Sequence, residues 1–154
     1  MIQDMKIEQL KEVMELVNRV FDEFEAPDYT EEGIRNFYKF ANYNNIKIQL
    51  ERNFKILVYE QNRKIVGMIG YRDYSHICLL FVEKEYHKQG IGKKLVEKTK
   101  EICQSKVSNL QEITVNSSPY GIDFYHKMGF VNTEKEQIVD GIRYTPMKLF
   151  LKEK

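Results

Sequence analysis

The sequence predicts an α/β domain with a mixed β-sheet. Two hairpin patterns, at residues 54–72 and 133–151, indicate antiparallel strands, and between them a strand, a helix and a strand follow one another over residues 76–116. A strand–helix–strand unit normally gives two parallel strands joined by a right-handed crossover. The antiparallel pairs and the parallel pair together predict a sheet of mixed direction.

The amino-terminal part of the chain is predicted to be helical. Apolar residues over positions 7–24 follow the three-and-four spacing of a helix with one buried face, which should end before Pro27. Thr30 and the two glutamates that follow it are typical of a helix start, since a hydroxyl can cap free N–H groups. This second helix should run to about residue 41. Residues 46–50 fit a strand or a helix, and the sequence leaves that stretch open.

The middle of the chain carries the clearest strand patterns. Residues 54–60 and 64–72 are β-rich runs separated by three polar residues, which indicates a hairpin, and 76–82 should form a third strand. Apolar residues at helical spacing predict a helix over 90–104. A further strand is expected at 110–116.

The carboxyl-terminal part should end in a second hairpin. Residues 119–128 are predicted to form a short helix that Gly129 ends. Strands are expected at 133–139 and 142–151, because the Asp140-Gly141 pair between them is a strong signal for a tight turn.

Composition indicates one folded, water-soluble domain over residues 1–154. The chain is 42% hydrophobic and 31% charged, without a repeat or a linker. A net charge of +1 provides no global field for a nucleic acid or an anionic membrane. The start of the chain lacks the apolar stretch of a secretion signal, which predicts a cytoplasmic protein. Cys78 and Cys103 lie in apolar patterns without metal-ligand spacing, so both should be reduced core residues and no metal site is expected.

Residues 87–94 form the most informative loop. They join a predicted strand to a predicted helix, and residues 84–101 contain six lysines against three glutamates. A helix N-terminus exposes free N–H groups, and Gly90 and Gly92 let the backbone approach an anion, so the loop should bind a phosphate. The alternative is that the glycines shape a turn and the lysines form a solvated helix face.

Two common phosphate loops do not fit these residues. A P-loop requires glycine where His87 stands and serine or threonine where Lys94 stands. A dinucleotide fingerprint requires a third glycine at Leu95. A nucleotide-binding regulator is therefore disfavoured.

Two motifs in order carry a family resemblance. Residues 87–92, His-Lys-Gln-Gly-Ile-Gly, resemble the Gln/Arg-x-x-Gly-x-Gly/Ala acyl-CoA loop of the GNAT superfamily of N-acetyltransferases, and residues 115–130 resemble its second signature. The resemblance covers residues 54–130 and implies a GNAT-like fold, a mostly antiparallel sheet with a central parallel strand pair and flanking helices. The first 45 residues match only in position, and in this family that region helps to shape the acceptor pocket.

The resemblance implies acetyl-CoA as the acyl donor. His87 stands where the family usually has Gln or Arg, and Lys88 where Gly is frequent, which should alter affinity more than the choice of cofactor. Asn116 matches a residue that binds the cofactor in many members, although a helix cap is an alternative role. The expected cofactor-binding residues are Phe81, Val82, His87, Lys88, Gln89, Gly90, Ile91, Gly92, Lys93, Asn116 and Tyr125.

The same resemblance implies direct attack by a primary amine in a ternary complex. A main-chain N–H near Val82 can support the developing oxyanion. Tyr125 holds the position of the catalytic acid that protonates the leaving thiolate. The alternative for Tyr125 is a half-buried aromatic that covers the helix.

The general base is less clear from the sequence. His76 is the first candidate, because it stands eleven residues before His87, where some relatives carry a glutamate base. Glu23, Glu25 and Asp28 are others, and they could instead attract a cationic amine. Cys78 shares a strand face with His76, which leaves a Cys/His ping-pong route open as a minor alternative.

Two classes of function follow. The first is an enzyme that acetylates an amine-bearing acceptor, either a small molecule or a protein amine. The second is a catalytically silent acyl-CoA-binding sensor. Neither a nucleic acid nor a membrane is an expected partner, and the sequence leaves the acceptor and a homodimer open.

Overall fold

The computed structural model of the chain describes residues 1–152. Within them the helices are α1 (Leu10–Phe24), α2 (Glu31–Phe40), α3 (Tyr43–Gln49), α4 (Ile91–Lys106) and α5 (Ile122–Lys127). The strands are β1 (Ile2–Asp4), β2 (Phe54–Gln61), β3 (Lys64–Arg72), β4 (His76–Val82), β5 (Glu112–Ser117), β6 (Val131–Asn132), β7 (Gln137–Val139) and β8 (Ile142–Phe150).

The strands form one mixed sheet. Their order is β1-β2-β3-β4-β5-β8-β6, and β7 pairs with β8 as a hairpin. The β4–β5 pair is parallel and joined through α4, while the other pairs are antiparallel. The predicted fold class is confirmed.

The parallel pair is the point at which the sheet opens. Only His76–Thr114 and Ile77–Val115 are in register between β4 and β5. Beyond them β4 stays with β3 to Val82, and β5 stays with β8 to Ser117. The two strands therefore diverge, and their free edges form a cleft in the middle of the sheet.

Two hydrophobic clusters cover the two faces of the sheet. One packs α1, α2 and α3 against side chains that include Leu79 and Phe81 of β4. The other packs α4 and α5 against the opposite face, which includes Leu80 and Val82. Side-chain alternation along β4 thus anchors the strand between both layers of helices.

The predicted helices of the first 41 residues are confirmed, with one change at the start. Residues Ile7–Gln9 form a 3₁₀ turn, and α1 begins at Leu10. The Thr30 hydroxyl accepts the N–H of Gly33 at 3.1 Å, as expected of a helix cap. The stretch left open is a helix, α3, which begins where the Asn42 side chain accepts the N–H of Asn45.

The strand predictions need two corrections. The predicted strand at 133–139 is wrong over its first half, because only Gln137–Val139 pairs with β8. Strands β1 and β6 were not predicted, since their three and two residues are too few to show a pattern. The predicted helix at 119–128 is a 3₁₀ turn, Pro119–Gly121, followed by α5.

Neither Cys78 nor Cys103 forms a disulfide, and Cys103 is buried, as predicted. Cys78 is only partly buried. Among residues 1–152, the helices are all too short or too polar to span a bilayer.

Candidate active site

A cavity of about 900 Å³ occupies the cleft between β4 and β5. Its walls come from the end of α1 and the turn after it, from β4, from the start of α4, from the β5–α5 segment and from the β7–β8 hairpin. All the predicted cofactor-binding residues except Gln89 line it. A second cavity of about 650 Å³ lies between β2 and the end of α4, and no predicted site residue lines that one.

The loop of residues 87–93, here called the glycine loop, presents a row of free backbone donors. Gly90 has a φ of +78° and starts α4 without a side-chain cap. Within the described part of the chain, the backbone N–H groups from Lys88 to Lys93 have no hydrogen-bond acceptor. Six consecutive unpaired donors at a helix N-terminus suit an anion such as a pyrophosphate. Gln89 contributes through this backbone, although its side chain lies outside the cavity.

The two departures from the family motif each have a structural consequence. Lys88 has a φ of +69°, a left-handed conformation that favours glycine, which explains why glycine is frequent at this position. The Nε2 of His87 donates to the carbonyl oxygen of Val82 at 2.7 Å. His87 therefore braces the glycine loop against the end of β4.

Gly92 serves packing as well as the loop. A Cβ at Gly92 would lie 3.2 Å from the ring of Phe124 and 3.9 Å from Val82. A Cβ at Gly90 would meet no atom within 4 Å. The two glycines thus have different roles: Gly90 provides the left-handed turn, and Gly92 lets α4 pack closely against α5.

The free edge of β4 faces the cavity with main-chain groups. Glu83, directly after β4, donates its N–H to Val66 of β3 at 2.8 Å and so faces β3. Because hydrogen-bonding direction alternates along a strand, Leu80 and Val82 present their N–H and C=O groups toward the side from which β5 has diverged. Val82 is consequently a backbone donor at the cleft, where the sequence placed it.

Tyr125 lies at the base of the cavity with 6% of its surface exposed. Its ring packs edge-on against Phe124 and Phe130, at centroid distances of 5.1 and 5.2 Å. Within residues 1–152 the hydroxyl has no hydrogen-bond partner and is not sealed from solvent. Burial, with a smaller contribution from the charge of Glu25, raises the pKa of Tyr125 well above its usual value, so the hydroxyl stays protonated.

Asn116 is exposed at the end of β5 and lines the cavity. The helix-cap alternative does not hold, since the Ser118 hydroxyl, not Asn116, accepts the N–H of Gly121 at 3.2 Å. The side chain of Asn116 is therefore available to a ligand.

The structure does not bring His76 to the cavity. It lies where β4 and β5 are still paired, and its Nδ1 is 2.6 Å from the hydroxyl oxygen of Thr114. Burial and the nearby charge of Arg72 lower the pKa of His76 to about 4. A ring that weakly basic, outside the cavity that Tyr125 lines, is badly placed to accept a proton from an amine.

Cys78 lines the cavity but is not activated. Burial raises the pKa of its thiol to about 11, and its sulfur lies 4.0 Å from the main-chain oxygen of His76. The thiolate is the reactive form of cysteine, so a thiol with this pKa is a poor nucleophile near neutrality. The arrangement does not favour the Cys/His route.

Of the acids near the end of α1, Glu25 is the one that lines the cavity. Burial raises its pKa to about 7, the charge of Asp28 acts in the same direction, and the hydroxyl of Ser118 opposes them. The charge of Glu25 also raises the pKa values of the three nearby phenols, those of Tyr29, Tyr120 and Tyr125. One carboxyl group thus lies among three tyrosine side chains.

The other two acids near α1 are engaged elsewhere. Glu23 pairs with Lys84 at 3.0 Å, and Asp28 lies 3.9 Å from Arg143. Neither lines the cavity. Of the three acids that the sequence nominated in this region, only Glu25 faces the site.

Aromatic residues that the sequence analysis did not nominate complete the cavity. The aromatic run around residues 21–40 was a signal, but only the tertiary fold shows which rings face inward. The aromatic residues that line the cavity without having been nominated are Tyr29 and Phe37 from that run, and Tyr86, Tyr120, Phe124 and Tyr144 from elsewhere in the chain.

Comparisons with known proteins agree with this fold. A family model described as an acetyltransferase (GNAT) domain matches residues 25–151. A GCN5-related N-acetyltransferase from Rhodopseudomonas palustris superimposes with a TM-score of 0.84 at 18% identity, over 98% of this chain and 95% of its own. The PaiA N-acetyltransferase from Thermoplasma acidophilum, in complex with coenzyme A, gives 0.76 at 21% identity, over 98% of both chains. A GNAT-family acetyltransferase from Staphylococcus aureus gives 0.72 at 20%, over 99% of both.

Proposed function

The chain belongs to the GNAT acetyltransferase family, and we propose that it transfers an acetyl group from acetyl-CoA to a primary amine by direct attack in a ternary complex. One observation carries the proposal: the free donors of the glycine loop and the hydroxyl of Tyr125 line the same cavity. A phosphate-bearing thioester bound by the loop would bring its sulfur into that cavity.

The residues that would bind acetyl-CoA, the acyl donor, suit its chemical groups. The N–H groups of residues 88–93 suit its pyrophosphate, and the unpaired edge of β4 at Leu80 and Val82 suits the amides of its pantetheine arm. Asn116 faces them from β5. Bound there, acetyl-CoA supplies the activated acyl group.

Glu25 takes the role of proton acceptor in this proposal. An amine attacks only in its neutral form, so a group in the cavity must receive a proton from the ammonium. A general base works best when its pKa is near the operating pH, and burial raises the pKa of Glu25 to about 7. Glu25 therefore replaces His76 as the proposed base, because His76 is outside the cavity.

Val82 and Tyr125 act at the other end of the reaction. The N–H of Val82 is available to hold the reacting carbonyl oxygen. As the C–N bond forms and the C–S bond breaks, the surplus proton of the amine nitrogen passes to the departing sulfur, so that CoA leaves as a free thiol. The Tyr125 hydroxyl, whose pKa lies well above that of a thiol, keeps its own proton and donates a hydrogen bond to that sulfur while its charge develops. Cys78 takes no part, since its raised pKa does not suit an acyl-enzyme route.

The test is turnover with acetyl-CoA and a panel of primary amines. Thiol release should depend on the amine, and mass spectrometry should show one added acetyl group on the amine. Binding of acetyl-CoA without thiol release for any amine would support the silent sensor instead. Relatives of similar fold include an aminoglycoside 6'-N-acetyltransferase and a ribosomal-protein-alanine N-acetyltransferase, so the panel should include diverse acceptors.

A further inference from the structure

We infer that the acceptor is a small primary amine that carries one positive charge on an aromatic or other bulky apolar body, and that it binds between Glu25 and Phe37. This inference rests on the proposed function, because it assigns the amine subsite of the same cavity. The lysines that line the cavity, Lys88, Lys93 and Lys127, belong to the glycine loop and to the end of α5.

The first argument is the aromatic wall of this subsite. Phe37 lines the cavity and stacks on Phe21 at a centroid distance of 3.7 Å, with Tyr29 tilted against the same Phe21 ring at 5.6 Å. Phe37 also contacts Phe81 of β4 edge-on at 6.1 Å. The wall therefore runs from the turn after α1 to β4, the strand proposed to bind the pantetheine arm of acetyl-CoA. Its rings are fixed by packing and offer apolar surface to a ligand.

The second argument is the count of available carboxylates. Glu23 and Asp28 face Lys84 and Arg143 outside the cavity, and Glu136 pairs with the same arginine at 3.1 Å. Of the acids described in the structure, two line the cavity, Glu25 and Asp140. Asp140 is at the exposed tip of the β7–β8 turn, where an ion pair contributes little. One enclosed carboxylate is thus available, which matches one ammonium group.

These two features together select against polycations. The first ammonium gains the charge of Glu25 and the ring faces of nearby tyrosines. A second or third ammonium of a polyamine or aminoglycoside would lie against Phe37, Phe81 or Tyr144 without a carboxylate, and a desolvated charge without a partner is strongly unfavourable. An apolar body at that place instead removes hydrophobic surface from water.

The hairpin β7–β8 encloses the subsite from the outside. Its turn packs against α2, with the carbonyl oxygen of Gly141 directly over Gly33, and the Asn36 amide donates to the carbonyl oxygen of Asp140 at 2.8 Å. Tyr144 of β8 lines the cavity beside Ile142. The hairpin therefore adds further apolar and aromatic surface to the cavity that Phe37 lines.

The test compares acceptors on the full chain with acetyl-CoA at saturation. We expect kcat/KM for 2-phenylethylamine to exceed that for spermidine and for an aminoglycoside by at least about 10-fold, because the first buries an apolar ring in the subsite and the others leave a charge there without a partner. Equal or higher kcat/KM for spermidine or the aminoglycoside would overturn the inference. A peptide amine as the sole substrate would also overturn it.

A matched pair of variants locates the contact. Phe37→Leu keeps an apolar side chain and removes the ring that would pack against the aromatic body, so kcat/KM for 2-phenylethylamine should fall about 10-fold with acetyl-CoA affinity unchanged. Phe40→Leu changes a ring of the same helix that packs on Phe54 and does not line the cavity, so it should have little effect. Equal losses in the two variants would contradict the assignment to Phe37.

Binding without turnover separates this inference from the proposed function. Calorimetry measures the affinity of the chain, saturated with CoA, for 2-phenylethylamine and for spermidine. If no amine is acetylated but 2-phenylethylamine binds and Phe37→Leu weakens it, the proposed function fails and the amine subsite stands. If spermidine is acetylated efficiently, the proposed function stands and the subsite assignment fails.

Discussion

The Nε2 of His87 donates a 2.7 Å hydrogen bond to the main-chain oxygen of Val82, and so ties the glycine loop to the free end of β4. The ring also packs on Phe24 of α1 at a centroid distance of 5.0 Å. The side chain that replaces the usual Gln or Arg thus acts on the position of the loop. It leaves the contact with phosphate to backbone N–H groups.

His87→Ala should therefore weaken CoA binding, because the unbraced loop must be ordered when the ligand binds. One net hydrogen bond corresponds to a loss of about 5- to 10-fold in affinity. His87→Gln should recover most of the loss, since an amide N–H can donate to the same oxygen. Calorimetric titration with CoA measures both variants. An affinity of His87→Ala equal to that of the wild type would contradict the bracing role.

Gly92→Val should destabilise the protein through its contact with Phe124. The added side chain would overlap the ring, and overpacking of this kind costs about 1–3 kcal/mol. Phe124→Ala opens the space, so the double variant should lose less stability than the sum of the two single losses, by more than about 0.5 kcal/mol. Urea unfolding of the four proteins tests this coupling. Additive losses would show that the two residues do not share the contact.

The strands and long helices could be predicted because each has a local periodic pattern. The stretch that the sequence left open is α3. Its apolar residues Ile46, Ile48 and Leu50 alternate as in a strand, because the helix buries Ile46 but carries a further apolar residue, Ile48, that is 50% exposed. Strand β1 exists only through its pairing with Tyr59 and its neighbours on β2. Such long-range pairing leaves no signal in three residues.

The two halves of the candidate site differ in the same way. The proposed cofactor side depends largely on the backbone of one loop, so a contiguous motif around Gly90 was enough to nominate it. The amine side is assembled from residues far apart in the chain, such as Glu25, Phe37 and Tyr144. His76 shows the limit of reasoning from spacing, because its position relative to His87 matched the family while the divergence of the strands left it outside the cavity.

The proposed role of Glu25 as the base predicts that kcat/KM rises with pH. If Glu25 accepts the proton, kcat/KM should rise with pH and level off above a midpoint near 7, the pKa that burial and Asp28 give to this carboxyl against the opposing hydroxyl of Ser118. Glu25→Gln should lower kcat/KM by about 100-fold and abolish its rise with pH around 7. Glu23→Gln, which alters the acid paired with Lys84, should keep it. A profile unchanged in Glu25→Gln would reject Glu25 as the base.

The raised pKa of Glu25 also predicts that the stability of the protein falls with pH, whereas kcat/KM rises. The pKa of Glu25 is raised on folding from 4.5 to about 7, so the native state binds more protons than the unfolded chain between these values. Stability should therefore fall as the pH rises from about 4.5 to 7. Glu25→Gln should remove this loss and gain up to about 3 kcal/mol at pH 8, at 1.36 kcal/mol per pKa unit. Urea unfolding at pH 5 and pH 8 measures the difference. If Glu25→Gln were less stable than the wild type at pH 8, burial of the ionised Glu25 carboxylate would not be unfavourable, and the raised pKa would be contradicted.

The central claim is that the cavity holding Tyr125 is where acetyl transfer occurs, and Tyr125→Phe tests it most directly. The change keeps the ring that packs between Phe124 and Phe130 and removes only the hydroxyl. Tyr71→Phe is the control, because Tyr71 is also buried but does not line this cavity.

The measurement is thiol release from acetyl-CoA at saturating amine, with acetyl-CoA affinity determined in parallel. We expect kcat of Tyr125→Phe to fall by about 100-fold, the usual effect of losing one hydrogen-bond donor to a developing charge, while its affinity for acetyl-CoA changes by less than about twofold and Tyr71→Phe behaves as the wild type. Wild-type turnover by Tyr125→Phe would contradict the account, because the hydroxyl at the base of the cavity would then have no part in the reaction.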